Sequence, residues 1–157
     1  MDLHLKWLPP FMLFDGGDTD FIFNVADFYE IPEVAGIYVF SRVHSGVASP
    51  LYIGKALNLQ RRVGQHLTNN VRLMKAIGRA PKGYRTLHVA ELQLKPGQKA
   101  EKALGIIESA LISAALVEGY ELINVHGTKT LVHSITSSGN REARTWLPEK
   151  TIKLRSA

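Results

Sequence analysis

Apolar residues follow two rhythms along this chain. β-Branched and aromatic runs at 36–40 (Gly36-Ile37-Tyr38-Val39-Phe40), 51–54 (Leu51-Tyr52-Ile53-Gly54) and 85–94 predict three strands. The first two flank a Ser-, Gly- and Pro-bearing stretch, 41–50, which reads as a loop, so the pair is expected to be antiparallel. Helical spacing governs most of the remainder. Asn58 is a fair N-cap for a helix to about 67, with Leu59, Val63 and Leu67 on one stripe. A second short helix is expected over 71–79, ending at Gly78-Arg79-Ala80-Pro81, and the longest over about 99–118, stopping at Gly119. Pro9, Pro10, Gly16, Gly17 and Pro32 make residues 1–34 look irregular, with apolar patches at 11–14 and 21–23 that pack onto the domain. Beyond Asn124 a strand at 131–136, a turn at 137–140 and a tail with Trp146 and Pro148 complete the chain.

This is an α+β pattern, and 157 residues suit one ordinary domain. With 45% hydrophobic and 21% charged residues the chain can bury a core. No run of about 18 apolar residues is present, so a membrane span is not expected. The absence of cysteine excludes disulfides, a thiol nucleophile and thiolate zinc ligands. The opening residues have an early Asp2 and no basic leader, so no signal peptide is expected and the cytoplasm is the expected location. Charge is unevenly placed. Residues 1–34 carry seven acids against Lys6, whereas residues 55–102 carry eleven Lys or Arg against Glu91 and Glu101. Such a basic segment is the footprint of a polyanion binder, unless it is simply a solvated face or pairs with the acidic arm.

Three elements carry candidate chemistry. Strand alternation sets Ile37 and Val39 on one face and Tyr38 on the other, and likewise separates Tyr52 from Leu51 and Ile53. If the aliphatic residues face the core, both tyrosines emerge on the opposite side as cross-strand neighbours. Such a pair also serves ordinary sheet stabilisation. Arg62 and His66 lie i, i+4 on the next helix, with Lys55 at its entry; a cation beside His66 favours the neutral imidazole. The same helix face, with Arg61 and Gln65, also reads as a solvated basic surface. Glu108 is the only charge between Ala103 and Val117, among Leu104, Leu111, Ile112 and Ala115. A carboxylate on so apolar a face needs a partner: a buried cation, most simply one of the arginines, a set of hydrogen-bond donors, or a hard metal ion such as Mg²⁺.

Taken in order, Gly36-Ile37-Tyr38, Tyr52-Ile53-Gly54-Lys55, Asn58-Leu59, Arg62 with His66 four residues on, Glu108 on a long helix and Asn124 after it resemble the GIY-YIG nuclease family. The resemblance covers about 34–127, leaving 1–33 as an N-terminal arm and 128–157 as a C-terminal extension. It implies a small three-stranded antiparallel sheet flanked by helices, in agreement with the strands read above. It implies metal-dependent endonuclease activity, hydrolysing phosphodiester bonds, usually in DNA, with RNA a further possible substrate. By similarity Tyr38 activates or orients the attacking water and Tyr52 lines the same site. Arg62 contacts the scissile phosphate, Glu108 holds a single Mg²⁺ or Mn²⁺, and Asn124 supports the site by hydrogen bonding. His66 relays or accepts a proton, the position at which members of the family differ most. Nearby Lys55, Arg62 and the cation are expected to lower the Tyr38 pKa. Lys55, Arg61, Arg72 and Lys75 are expected to contact substrate. His133, Ser137, Ser138, Asn140, Arg141, Arg144 and Trp146 of the extension either touch nucleic acid or close a sheet edge. A module of the same fold that binds nucleic acid without cutting it is the alternative.

Overall fold

The structure, a computed structural model, describes residues 1–17, 21–80, 82–124, 131–136, 138–142 and 150–155. It comprises two units, Met1–Ile123 and Asn124–Ala157.

The first unit grows from a hairpin longer than the pattern of residues suggests. Labelling elements in chain order, β4 (Gly36–His44) and β5 (Val47–Ala56) are joined by Ser45 and Gly46 alone. Both adopt positive φ, 51° and 76°, as a two-residue hairpin turn requires. The stretch 41–50 expected to be a loop is therefore strand on both sides of the turn. Pro50 is accommodated because β5 is the sheet edge, and a register shift between Phe40 and Ser41 absorbs one residue. On its other side β4 pairs with β6 (Tyr84–Gln93), so β4 is flanked by strands throughout.

The N-terminal arm is not irregular. β1 (His4–Trp7) and β2 (Phe11–Asp15) follow one another along the free side of β6, and β3 (Phe23–Val25) pairs with β2. Pro9 and Pro10, which offer no N–H, fall at the break between β1 and β2, where ladder pairing lapses. The result is a six-stranded antiparallel sheet in the order β3-β2-β6-β4-β5, with β1 also on β6, and not the three strands expected. The chain is α+β. Asp2 reaches back to Lys95 at 3.3 Å and its carbonyl accepts from Gln98, so the acidic arm does meet the basic segment at one point.

Helices cover both faces. α1 (Leu59–Asn69) starts at Asn58, whose side chain accepts from the Arg61 amide at 2.8 Å, and α2 (Val71–Arg79) starts at Asn70, which accepts from Leu73 at 3.1 Å. Leu59, Val63, Leu73, Met74 and Ile77 join Tyr38, Phe40, Leu87 and Val89 in the main core. Arg85 fastens α2 to β6, donating to the carbonyls of Ile77, Ala80 and Gly83. The long helix α3 (Ala100–Val117) packs against β5 and β4, burying Ala103, Leu104 and Ile107. No described helix is long and apolar enough to cross a membrane.

In the second unit β7 (Leu131–Thr136) and β8 (Lys150–Arg155) form an antiparallel pair, Leu131 opposite Arg155 and Thr136 opposite Lys150. β7 lies where the sequence pattern expects a strand, whereas β8 falls in the stretch read as a tail. His133 lies on β7, and Ser138, Asn140 and Arg141 in the exposed connection. Ser137, Arg144, Trp146 and Pro148 are outside the described residues, as are Asp18 and Asp20 of the arm.

Deleting residues 1–15 should bare the β6 edge and remove core side chains such as Leu13. The shortened chain is expected to lose cooperative thermal unfolding by circular dichroism. An unchanged melting curve would mean that the arm contributes nothing to the sheet.

Candidate active site

The two motif glycines explain themselves first. Gly36 lies against the Ala90 carbonyl and Leu59, and Gly54 lies beneath the Tyr38 ring; a Cβ at either would run into those atoms. Register puts Tyr38 opposite Gly54 and Phe40 opposite Tyr52. The two tyrosines are thus diagonal and not directly paired, and their rings stack at 6.1 Å with planes 21° apart. They do not emerge on a face away from the core. Both faces of β4 are covered, so Tyr38 is only 1% exposed and belongs to the main core. Simple alternation cannot separate a solvent face from a second buried one.

His66 enters this stack from α1. It continues the buried stripe of Leu59 and Val63 and is 3% exposed, so it does not lie on a solvated basic face. Its ring sits 5.4 Å from Tyr38, 5.7 Å from Tyr52 and 6.2 Å from Phe40. Its Nε2 lies 2.7 Å from the Tyr38 hydroxyl, and its Nδ1 lies 3.0 Å from Asn70 Nδ2. Arg62, one turn earlier, is exposed, touches Gln65 at 3.4 Å and bears on the Tyr38 hydroxyl through its charge. Arg62, Gln65, His66, Asn69 and Asn70 line an open depression of about 290 Å³ that no carboxylate among the described residues enters.

Burial dominates the protonation states. It holds the Tyr38 hydroxyl well above the ordinary tyrosine range; Tyr52 adds to the effect and Arg62 opposes it without offsetting it. Within the protein itself, burial thus outweighs the lowering expected from Arg62. His66 is pushed down to about 4, by burial first and by the Arg62 charge second. It is neutral at physiological pH.

Glu108 and Lys55 make a separate pair. Lys55 faces Ile37 across the hairpin, on the side of the sheet opposite Tyr38, and its Nζ meets Glu108 Oε2 at 2.7 Å. Their side chains are 24% exposed for Glu108 and 45% for Lys55. Glu108 is therefore neither buried nor paired with an arginine. The apolar composition of α3 overstates its burial, since Ile106 and Val117 are exposed. Among the described residues no hydrogen bond, ion pair or ring contact joins Lys55 or Glu108 to Tyr38, Tyr52, Arg62 or His66. Arg61, Arg72 and Lys75 are exposed on α1 and α2 outside the Arg62 depression. Asn124 opens the second unit.

The donor set suits only one kind of metal site. Among the described residues no three His, Asp or Glu side chains gather. A lone, accessible carboxylate fits a hard, largely hydrated ion that shares a substrate phosphate. An exposed ion pair contributes only about 0–1 kcal/mol, so Lys55 does not bar such an ion from Glu108. Asn70 escaped the sequence reading although its position just before α2 marks a helix cap; its second contact, to His66, has no sequence signal. No known protein family matches the chain, and no curated protein or solved structure proves similar to it.

His66 also ties stability to pH. Its folded pKa of about 4 lies below the ordinary 6.5, so the unfolded chain takes up the proton first. This contribution is complete above pH 6.5 and is lost as pH falls towards 4, by about 3 kcal/mol. In urea titrations across that range, His66→Gln should flatten the decline; equal slopes would mean His66 titrates normally.

Proposed function

We propose that the chain is a divalent-metal-dependent endonuclease that hydrolyses phosphodiester bonds in DNA with the residue set of GIY-YIG nucleases, acting in the cytoplasm. The observation that carries this reading is the Tyr38 hydroxyl, 2.7 Å from a buried neutral histidine and under the influence of Arg62. A phenol so placed is more than sheet packing. It is a proton-handling group beside an accessible guanidinium.

Phosphodiesters resist hydrolysis because an anion must be attacked and an alkoxide must leave. Arg62 binds a phosphoryl oxygen and stabilises the charge that grows there. Tyr38, as phenolate, takes the proton of the attacking water, and Tyr52 lines the site. Lys55, with Glu108 paired to it, lies on the other face of the same edge strand, so a phosphate bound by both sets of residues would have to lie across β5. Glu108 would hold one Mg²⁺ or Mn²⁺, which supplies Lewis-acid polarisation of the phosphate. Arg61, Arg72 and Lys75 contact the nucleic-acid backbone; RNA is a second candidate substrate. One feature favours the catalytically inactive nucleic-acid-binding module instead: Glu108 already has a cation, Lys55, at 2.7 Å.

Incubation with duplex, nicked, flapped and branched DNA, with and without Mg²⁺ or Mn²⁺, separates the two. Glu108→Ala should abolish metal-dependent cleavage and leave gel-shift binding largely intact; binding with no cleavage by the wild type selects the inactive module. Because burial makes the Tyr38 phenolate scarce, cleavage should rise about tenfold per pH unit with no plateau below about pH 10, the ordinary tyrosine pKa. A plateau near neutrality would assign the base elsewhere.

A further inference from the structure

We propose that Asn70 is a positioning residue that fixes His66 as the Nε2–H tautomer, so that the imidazole donates to the Tyr38 oxygen and cannot take its proton. A primary amide has one accepting end and one donating end. Oδ1 of Asn70 is committed to the first turn of α2, where it accepts from the Leu73 amide at 3.1 Å. The other end, Nδ2, lies 3.0 Å from His66 Nδ1. An NH₂ group cannot accept, so Nδ1 must present its lone pair. A neutral imidazole then carries its only proton on Nε2, 2.7 Å from the Tyr38 oxygen.

Turning the amide over would set its NH₂ against the Leu73 N–H and uncap α2, a loss of helix stabilisation as well as of the His66 contact. The backbone adds a third tie, since the Asn70 amide donates to the His66 carbonyl at 3.2 Å. Protonating Nδ1 would point it at the Asn70 NH₂, which acts in the same direction as burial and the Arg62 charge. His66 is then no reservoir for the phenol proton, because Nε2 is already occupied. The Tyr38 proton points away from the imidazole, towards Tyr52 or an incoming substrate oxygen. When the phenolate forms it meets an N–H on its helix side. The catalytic half of this assignment rests on the phosphodiesterase reading; the tautomer does not.

Two measurements test it. Long-range ¹H–¹⁵N correlations on the labelled full chain at neutral pH, assigned by comparison with His66→Gln, should find the His66 proton on Nε2. A proton on Nδ1, or an average of the two, overturns the assignment. Asn70→Asp retains an oxygen for the α2 cap and replaces the donor with an acceptor. The proton should move to Nδ1 and kcat for DNA cleavage should fall roughly 100-fold with KM little changed. Transfer of the proton with kcat unaltered would overturn the catalytic half. If the wild-type protein cuts no DNA, the phosphodiesterase reading fails while the spectrum still decides the tautomer.

Discussion

The site is organised around an imidazole that has been taken out of water and kept uncharged. His66 lies among Tyr38, Tyr52 and Phe40, with a hydroxyl on one nitrogen and an amide on the other. Burying a polar ring this way is tolerable only because both nitrogens have partners. Each partner is held in turn by the fold: Tyr38 by the central strand and the bare Gly54 beneath it, Asn70 by its role in starting α2. Secondary structure and the geometry of the candidate site are here the same set of bonds. A change that loosens the start of α2 reaches the phenol through one ring.

Much of this was legible in the residues, for identifiable reasons. Helices α1, α2 and α3 carry caps and stops that act locally, so Asn58, Gly119 and the apolar spacing locate them within a residue or two. The arm and the 41–50 stretch were not legible. Pro9, Pro10 and Pro50 discourage strands on local grounds, yet each lies at a break or an edge where no ladder donor is required. Tyr38 and Glu108 failed for opposite reasons. Alternation suggested an exposed face for the tyrosine, which a second helical layer covers, and apolar neighbours suggested a buried glutamate, which lies where α3 is partly open. The Asn70–His66 contact depends on the turn between two helices, and no periodicity encodes that.

The two halves of the candidate site lie on opposite faces of one sheet, and the proposed function would need β5 to be an edge, as it is. At a central strand, groups on opposite faces are separated by the neighbouring backbone. At an edge, both can reach a ligand lying alongside. The phenols and Arg62 lie on the α1 side of the sheet, and Lys55 and Glu108 on the α3 side. Edge strands invite unwanted pairing; Pro50 interrupts the row of donors on this one.

The arginine that rivets α2 to β6 bears on how strongly this chain would hold a polyanion. Arg85 spends its guanidinium on three backbone carbonyls. A tally of basic residues therefore overstates how many phosphates the segment neutralises. Counterion release counts neutralised phosphates and not formal charges, so affinity should fall less steeply with added salt than eleven cations in that segment suggest.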